Sequence, residues 1–165
     1  MFLVRVAQLL TLDVNMWPFR KKSSQSLSLP IEGPWSVSHG ENEGKVAIVR
    51  TNSGYKEFSP VAGYEHQLGI AVPLRAPEPT GLPSPEENMR LGDLEDALCD
   101  GLQVDAESLF VATITTSGMK EFVFYTKAPE RVQERFEAVR STITSHELQF
   151  MIQPDKQWET YAQLA

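Results

Sequence analysis

Acidic side chains form the most concentrated charged group in this 165-residue sequence. If residues 85–101 form a helix, a step of about 100° per residue places four acids within an arc of about 80°: Glu86, Asp93, Asp96 and Asp100. A metal ion needs oxygen ligands that converge from several directions, which one helix face does not supply. Two interpretations remain open: a solvated face, the usual outcome for such runs, and a docking surface for a basic protein partner.

Three further polar residues, His66, Lys120 and Glu121, could meet in a ligand cleft. We expect this cleft between an N-terminal β-hairpin and the hairpin Gly118–Tyr125. A concave pocket in which the three side chains converge would favour a small-ligand binder or an undetected enzyme, whereas a flat sheet face would count against both. A lone His on an apolar strand face is usually packed, so His66 alone does not indicate acid–base or metal chemistry.

Two motifs of common enzyme classes are missing from the sequence. There is no Gly-x-Ser-x-Gly and no glycine-rich phosphate loop. His39, His66 and His146 lie far apart, and Cys99 lies among acidic residues near the end of the predicted helix, where negative charge disfavours a thiolate. We therefore expect no metal and no cofactor, assign Cys99 a structural role, and favour a non-enzymatic protein while leaving catalysis open.

The composition narrows the class of protein. Fifteen basic and 22 acidic side chains give a net charge of −7 and a pI near 5.0. Nucleic acid is therefore not an expected partner, because phosphate-binding surfaces are usually basic. One cysteine excludes a disulfide framework, and no run reaches the ~18 apolar residues that a membrane span needs. We expect one cytoplasmic domain, since single domains typically have about 100–200 residues.

Residues 1–33 differ from the rest of the chain. An apolar run, Phe2–Leu12, precedes the basic cluster Arg20–Lys22, which is the reverse of the order in a signal peptide. We expect a disordered leader and linker, with Met16 as a plausible true start. A membrane-surface amphipathic helix and a signal anchor remain alternatives. The folded domain is expected over residues 34–165.

The rest of the chain predicts the element order β-β-β-α-β-β-α-β-α. Ser84–Glu87 reads as a capping box, in which the Ser84 hydroxyl and the Glu87 carboxylate each accept a hydrogen bond from a backbone N–H. Residues 39–44 are expected to be a polar loop, Ser117-Gly118 a two-residue turn, and Pro154 the start of a short last helix.

From the third strand to the last, the order is β-α-β-β-α-β, typical of a ferredoxin-like α+β fold. Both helices would pack on one face of an antiparallel sheet. The N-terminal hairpin would extend this sheet or cover its open face.

Four stretches form a recognisable series along the chain: Gly81–Glu87, Leu94–Leu98, Gly118–Tyr125 and Pro154–Tyr161. Over about residues 35–162, their order and spacing resemble the bacterial domain-of-unknown-function family 695. That family has a Gly-x-Pro turn before a Glu-rich helix, a Thr-x-x-Gly-x-Arg-Glu-Phe hairpin and a final Asp-Pro-x-Trp-x-x-Tyr. Here Lys120 stands in place of the Arg, and two residues separate Pro154-Asp155 from Trp158. Lys is a point charge, so this change weakens a bidentate anion clamp.

The resemblance implies a limited amount about function. The family has no established activity, and in some proteins a similar domain is fused to one that looks like the protein regulator of ribonuclease E. This favours a protein-binding, regulatory role, although fold alone does not give function. We expect a non-enzymatic α+β module that binds another protein. A small-ligand binder or undetected enzyme is the alternative, and a purely structural accessory domain is the third candidate.

Overall fold

The computed structural model describes residues 28–165, so the expectations for residues 1–27, including the start at Met16, lie outside the described residues. The helices and strands follow in this order: β1 Trp35–Asn42, β2 Lys45–Asn52, β3 His66–Pro73, α1 Pro85–Leu102, β4 Ser108–Thr116, β5 Met119–Thr126, α2 Pro129–Thr142, β6 Gln149–Pro154 and α3 Glu159–Leu164. Part of the expected linker contacts the domain, since the Ile31 N–H donates to the Tyr55 hydroxyl at 2.9 Å.

All six strands pair antiparallel in one sheet, in the order β1-β2-β4-β5-β3-β6. The predicted α+β architecture is confirmed. The order differs from that of a four-stranded ferredoxin-like sheet, because the N-terminal hairpin adds β1 and β2 beside β4. The hairpin therefore extends the sheet and does not cover it. All nine residues of β4 are buried, as expected for a strand that is apolar on both faces.

One face of the sheet, called here the helix face, carries α1 and α2. The side chains that α1 buries recur every three or four residues, which places them on one stripe: Leu91, Leu94, Leu98 and Leu102. In α2 the buried residues are Val132 and Phe136. These side chains form one core with apolar residues of β3, β4 and β5, including Phe122 and Phe124. The two helices thus share a single apolar layer over the sheet.

The opposite face is covered by α3 and by the segment between β2 and β3. The Trp158 ring stacks on Tyr125 with 4.0 Å between centroids, and its Nε1–H donates to the Tyr64 carbonyl at 2.7 Å. The Tyr161 hydroxyl donates to the Asn52 carbonyl at 2.7 Å. These contacts bury the second core, which β2, β4 and β5 complete.

The start of α3 differs from the prediction. Trp158 adopts a left-handed conformation with φ 56°, so the helix begins only at Glu159 and not at Pro154. Asp155 accepts hydrogen bonds from the backbone N–H groups of Glu159 and Thr160 at 2.8 and 3.0 Å, and from the Tyr125 hydroxyl at 2.7 Å. Burial alone would raise the pKa of Asp155, but these hydrogen bonds outweigh it and lower the pKa.

Both hairpins turn through two residues with positive φ. The turn Ser117-Gly118 was predicted, and its φ values are 53° and 77°. The prediction of a loop at residues 39–44 is wrong, because β1 and β2 continue to a turn at Glu43-Gly44. The φ values of this turn are 51° and 79°. Such turns match the twist of the paired strands.

The start of α1 confirms half of the predicted capping box. The Ser84 Oγ accepts a hydrogen bond from the Glu87 N–H at 3.2 Å. The prediction of the reciprocal bond is wrong. The buried Glu87 carboxylate instead accepts hydrogen bonds from the backbone N–H groups of Arg75 and Ala76, and it lies 3.2 Å from His146 Nε2. Burial would raise the pKa of Glu87, but its hydrogen bonds lower it. Glu87 thus ties α1 to two other segments.

Each helix within residues 28–165 is too short or too polar to span a lipid bilayer.

The Asp155 hydrogen bonds lead to a first prediction. Asp155→Ala removes the acceptor of the Tyr125 hydroxyl and of the first N–H groups of α3, so the free energy of unfolding should fall by about 1–3 kcal/mol. Urea unfolding followed by Trp fluorescence measures this change. Lys156→Ala, at an exposed neighbouring position, is the control. Equal midpoints for the two variants would contradict the role given to Asp155.

Candidate functional site

A groove of about 620 Å³ runs between α1 and the sheet on the helix face. Its wall on the helix side includes Met89, Asp93 and Asp96, and its sheet side includes Arg50 and Lys120. A cleft of this volume falls within the range of small-ligand sites in proteins. The groove is therefore the candidate functional site within residues 28–165.

The groove exists because the sheet is wider than the helix layer. On the helix face of the N-terminal hairpin, Val37 is 56% exposed and Val46 is 42% exposed. On the opposite face of β2, Ala47 and Val49 are buried. The β2 strand is thus covered on one side only, and its other side continues directly into the groove beside α1.

Lys120 lies at the floor of the groove. It is 6% exposed, and its Nζ is 3.7 Å from Glu95 Oε2 and 5.1 Å from the centroid of the Phe122 ring. Thr115 lies opposite Lys120 in the sheet, and Thr113 lies two residues further along β4 on the same face. Burial lowers the pKa of Lys120. The charge of Arg50 lowers it further, whereas Glu95 raises it.

Glu95 joins the floor to the hairpin. The Arg50 Nη1 donates to both carboxylate oxygens of Glu95, at 3.0 and 3.2 Å, and the Arg50 guanidinium lies over the Trp35 ring at 4.9 Å. One carboxylate therefore serves two cations, Arg50 and Lys120. Sequence reasoning assigned no site role to Arg50, Glu95 or the two threonines. The correct register of β4 with β5 places Thr115 opposite Lys120. This pairing is the signal that could have identified Thr115.

The four acids predicted to share one helix face are all exposed on α1: Glu86, Asp93, Asp96 and Asp100. Asp93 and Asp96 line the mouth of the groove. Glu86 pairs with Arg90 one turn away, and Asp100 lies one turn beyond Asp96. Only two of the four acids therefore belong to the groove.

The three residues predicted to form a cleft are not brought together. Lys120 and Glu121 are consecutive on β5, so their side chains point to opposite faces of the sheet. His66 and Val72, the partner of Lys120, are six residues apart on β3, about 20 Å along the strand. Of the three, only Lys120 lies in the groove.

Glu121 occupies a distinct position on the opposite face. Its carboxylate lies against the backbone of Gly69, where a Cβ atom would be 2.7 Å from Oε1. Gln67 and Met151 are the other side chains near this point. No hydrogen-bond partner for this carboxylate occurs among residues 28–165, and burial raises the pKa of Glu121 to about 7. The small size of Gly69 is what allows the carboxyl to lie there.

The remaining titratable groups that sequence reasoning considered have structural surroundings. His146 is buried against Glu87, as described above. Cys99 is half-buried on α1, and burial, together with Glu95, Asp96 and Asp100, raises the pKa of its thiol to about 12. Such a thiol is a poor nucleophile.

The model of a family of unknown function, DUF695, matches residues 34–164. The chain belongs to the DUF695 family. No curated protein and no solved structure matches it. The match to the family model confirms the resemblance that the sequence motifs indicated.

Two of the DUF695-like motifs lie in different parts of the structure. The turn at Gly81 lies against the β4–β5 turn, with the Gly118 N–H donating to the Gly81 carbonyl at 2.8 Å, and Pro83 then lines the groove. The motif that contains Asp155 and Trp158 anchors α3 on the opposite face. The first motif borders the candidate site of this DUF695 domain, and the second stabilises its core.

The unpaired Glu121 gives a second prediction. A carboxyl whose pKa is raised in the folded state favours folding at low pH, and this contribution is lost as the pH rises toward 7. Glu121→Gln should therefore increase the free energy of unfolding at pH 8 by on the order of 1–3 kcal/mol, with little effect at pH 4.

Urea unfolding at the two pH values tests this prediction. Glu134→Gln, at an exposed position on α2, is the control and should change stability by less than about 0.5 kcal/mol at either pH. A stabilisation by Glu121→Gln that is the same at pH 4 and pH 8 would show that titration of this carboxyl is not its cause.

Proposed function

We propose that this DUF695 domain is a non-enzymatic protein-binding module whose groove accepts a basic amphipathic helix of a partner. The observation that carries the proposal is that an uncovered sheet face with exposed valines lies beside acids that pair with no other described residue. Val37, Val46 and Met89 supply exposed apolar surface, and Asp93 and Asp96 border it. Exposed apolar side chains next to charge are typical of sites that bind another protein.

The dimensions support a helical partner. Neighbouring strands are about 4.8 Å apart, so β1 and β2 widen the sheet by about 10 Å. Packed helices lie about 8–10 Å apart. The uncovered hairpin therefore has the width of one additional helix beside α1. A partner helix there would pack its apolar side chains against Val37, Val46 and Met89.

The charges support a basic partner. Asp93 and Asp96 form no ion pair with another of the described residues, whereas Glu86 is neutralised by Arg90. A Lys or Arg on the flank of a bound helix could reach either carboxylate. Exposed charge pairs contribute modestly to affinity, but they accelerate association and select the partner.

We further propose that the unit from β3 to β6 is a ferredoxin-like core to which the hairpin has been added. Support comes from the adjacency β4-β5-β3-β6 and from the single core that α1 and α2 share. A cytoplasmic location and a bacterial source are proposed as well. The single, half-buried thiol and the resemblance described above support them.

A display library of helical peptides, unbiased in charge, tests the protein-binding proposal. The selected peptides should be amphipathic and basic. Charge reversal in Asp93→Lys/Asp96→Lys should weaken their binding by about tenfold or more at low salt and reduce its salt dependence, because attraction is replaced by repulsion.

Glu134→Lys/Glu147→Lys is the matched control. It makes the same change in net charge at two exposed positions outside the groove, and binding should be retained. Selection of neutral or acidic peptides would contradict the proposal that the acids of the groove bind a basic partner. Equal binding of the peptides to both double variants would contradict it as well. Thermal unfolding of each variant verifies that it is folded.

A further inference from the structure

The floor of the groove contains more hydrogen-bond donors than acceptors. Lys120 supplies an ammonium group, Arg50 supplies a guanidinium, and Thr113 and Thr115 supply hydroxyls. The Glu95 carboxylate is the anionic group that faces both cations. Because two positive charges share one negative charge, the floor carries a net charge of about +1.

The Lys120 ammonium pairs with Glu95 at long range only. Its Nζ is 3.7 Å from Glu95, which exceeds the length of a hydrogen bond, although the residue is only 6% exposed. Thr113 and Thr115 line the same floor, and their hydroxyls form no hydrogen bond with another of the described residues. Among those residues, only Ser108 has a fully buried side-chain oxygen without a partner, so the donors of the floor are accessible from the groove. An acceptor-rich group that is bound there could accept hydrogen bonds from them.

We propose that this floor binds the carboxylate of a small amino acid. A carboxylate carries the single negative charge that the floor lacks, and its two oxygens can accept from Lys120 and from the threonine hydroxyls together. At the mouth of the same groove, Asp93 and Asp96 provide negative charge for an α-ammonium group.

The charges at the mouth exclude other anions of similar size. The groove is lined by the cations Arg50 and Lys120 and by the acids Asp93, Glu95 and Asp96. A dicarboxylate or phosphate would increase the negative excess, whereas a zwitterion leaves it unchanged. Ile48, Pro83 and Met89 are available for a short apolar side chain. An amino acid with a small apolar side chain fits these three features.

This proposal shares Asp93, Asp96 and Met89 with the protein-binding one, but the two can be tested separately. The amino acid would lie on the floor, below the hairpin surface that a partner helix would cover. Lys120→Met removes the ammonium and retains the length of the side chain, and it leaves Asp93 and Asp96 in place. Loss of amino-acid binding therefore does not require loss of peptide binding.

Isothermal titration of the full chain with L-alanine and L-valine tests the inference. We expect a Kd below about 1 mM for one of them, and binding weaker by about tenfold or more for acetate, methylamine, succinate and inorganic phosphate. Lys120→Met should weaken binding by at least about tenfold, since it removes a buried charged partner of the carboxylate. Lys127→Met, at an exposed lysine after β5, is the control and should bind like the wild type.

Thr115→Val provides a second variant that is nearly isosteric. It should weaken amino-acid binding by about threefold to tenfold, because one hydroxyl donor is lost. Three results would each overturn the proposal: no binding of either amino acid at 10 mM (roughly the limit of meaningful affinity), preferred binding of succinate or phosphate, or unchanged binding in a folded Lys120→Met variant.

Discussion

The mismatch in width between the sheet and its covering layers determines most of this structure. Six strands need cover on both faces, but α1 and α2 form a layer over only part of the helix face. The α3 helix and the segment before β3 protect a different part of the opposite face. One area therefore stays open, the helix face of the β1–β2 hairpin.

The groove shows the energetic consequence of this mismatch. At the edge of a helix layer, water can reach side chains that would otherwise lie in an apolar core, so Lys120 can remain at a nearly buried position. Two cations compete for the single carboxylate of Glu95. Buried ion pairs contribute little to stability relative to apolar packing.

The sequence was sufficient to predict the elements whose signals are local. The leucine stripe of α1, its Ser84 cap and the Ser117-Gly118 turn depend on neighbouring residues, and all three were found. The wrong predictions involve distant partners. Glu87 bonds to Arg75 and Ala76 because the chain before α1 passes over its first turn, and the start of α3 is displaced because Trp158 stacks on Tyr125.

The candidate site was less predictable for the same reason. Lys120 was chosen from the sequence, but its actual neighbours, Glu95 and Arg50, come from α1 and β2, and only the strand order brings them together. Glu121 and His66 were grouped with Lys120 because two constraints were not combined. These are the alternation of side chains along a strand and the register between paired strands. The two-residue period of a strand predicts on which face of the sheet a side chain lies. Its neighbours on that face can be predicted only when the pairing of the strands is known.

The hydrogen bonds that hold α3 also affect how the chain acquires its structure. The Thr51 hydroxyl donates to the Leu164 carbonyl across 113 residues, and Tyr161 reaches Asn52 across 109. Contacts of this range are slow to form because a long loop must close before they give any stability. During synthesis, the apolar side of β2 with Ala47 and Val49 is completed only after residue 164 has left the ribosome. A chaperone that shields this strand would act throughout that interval.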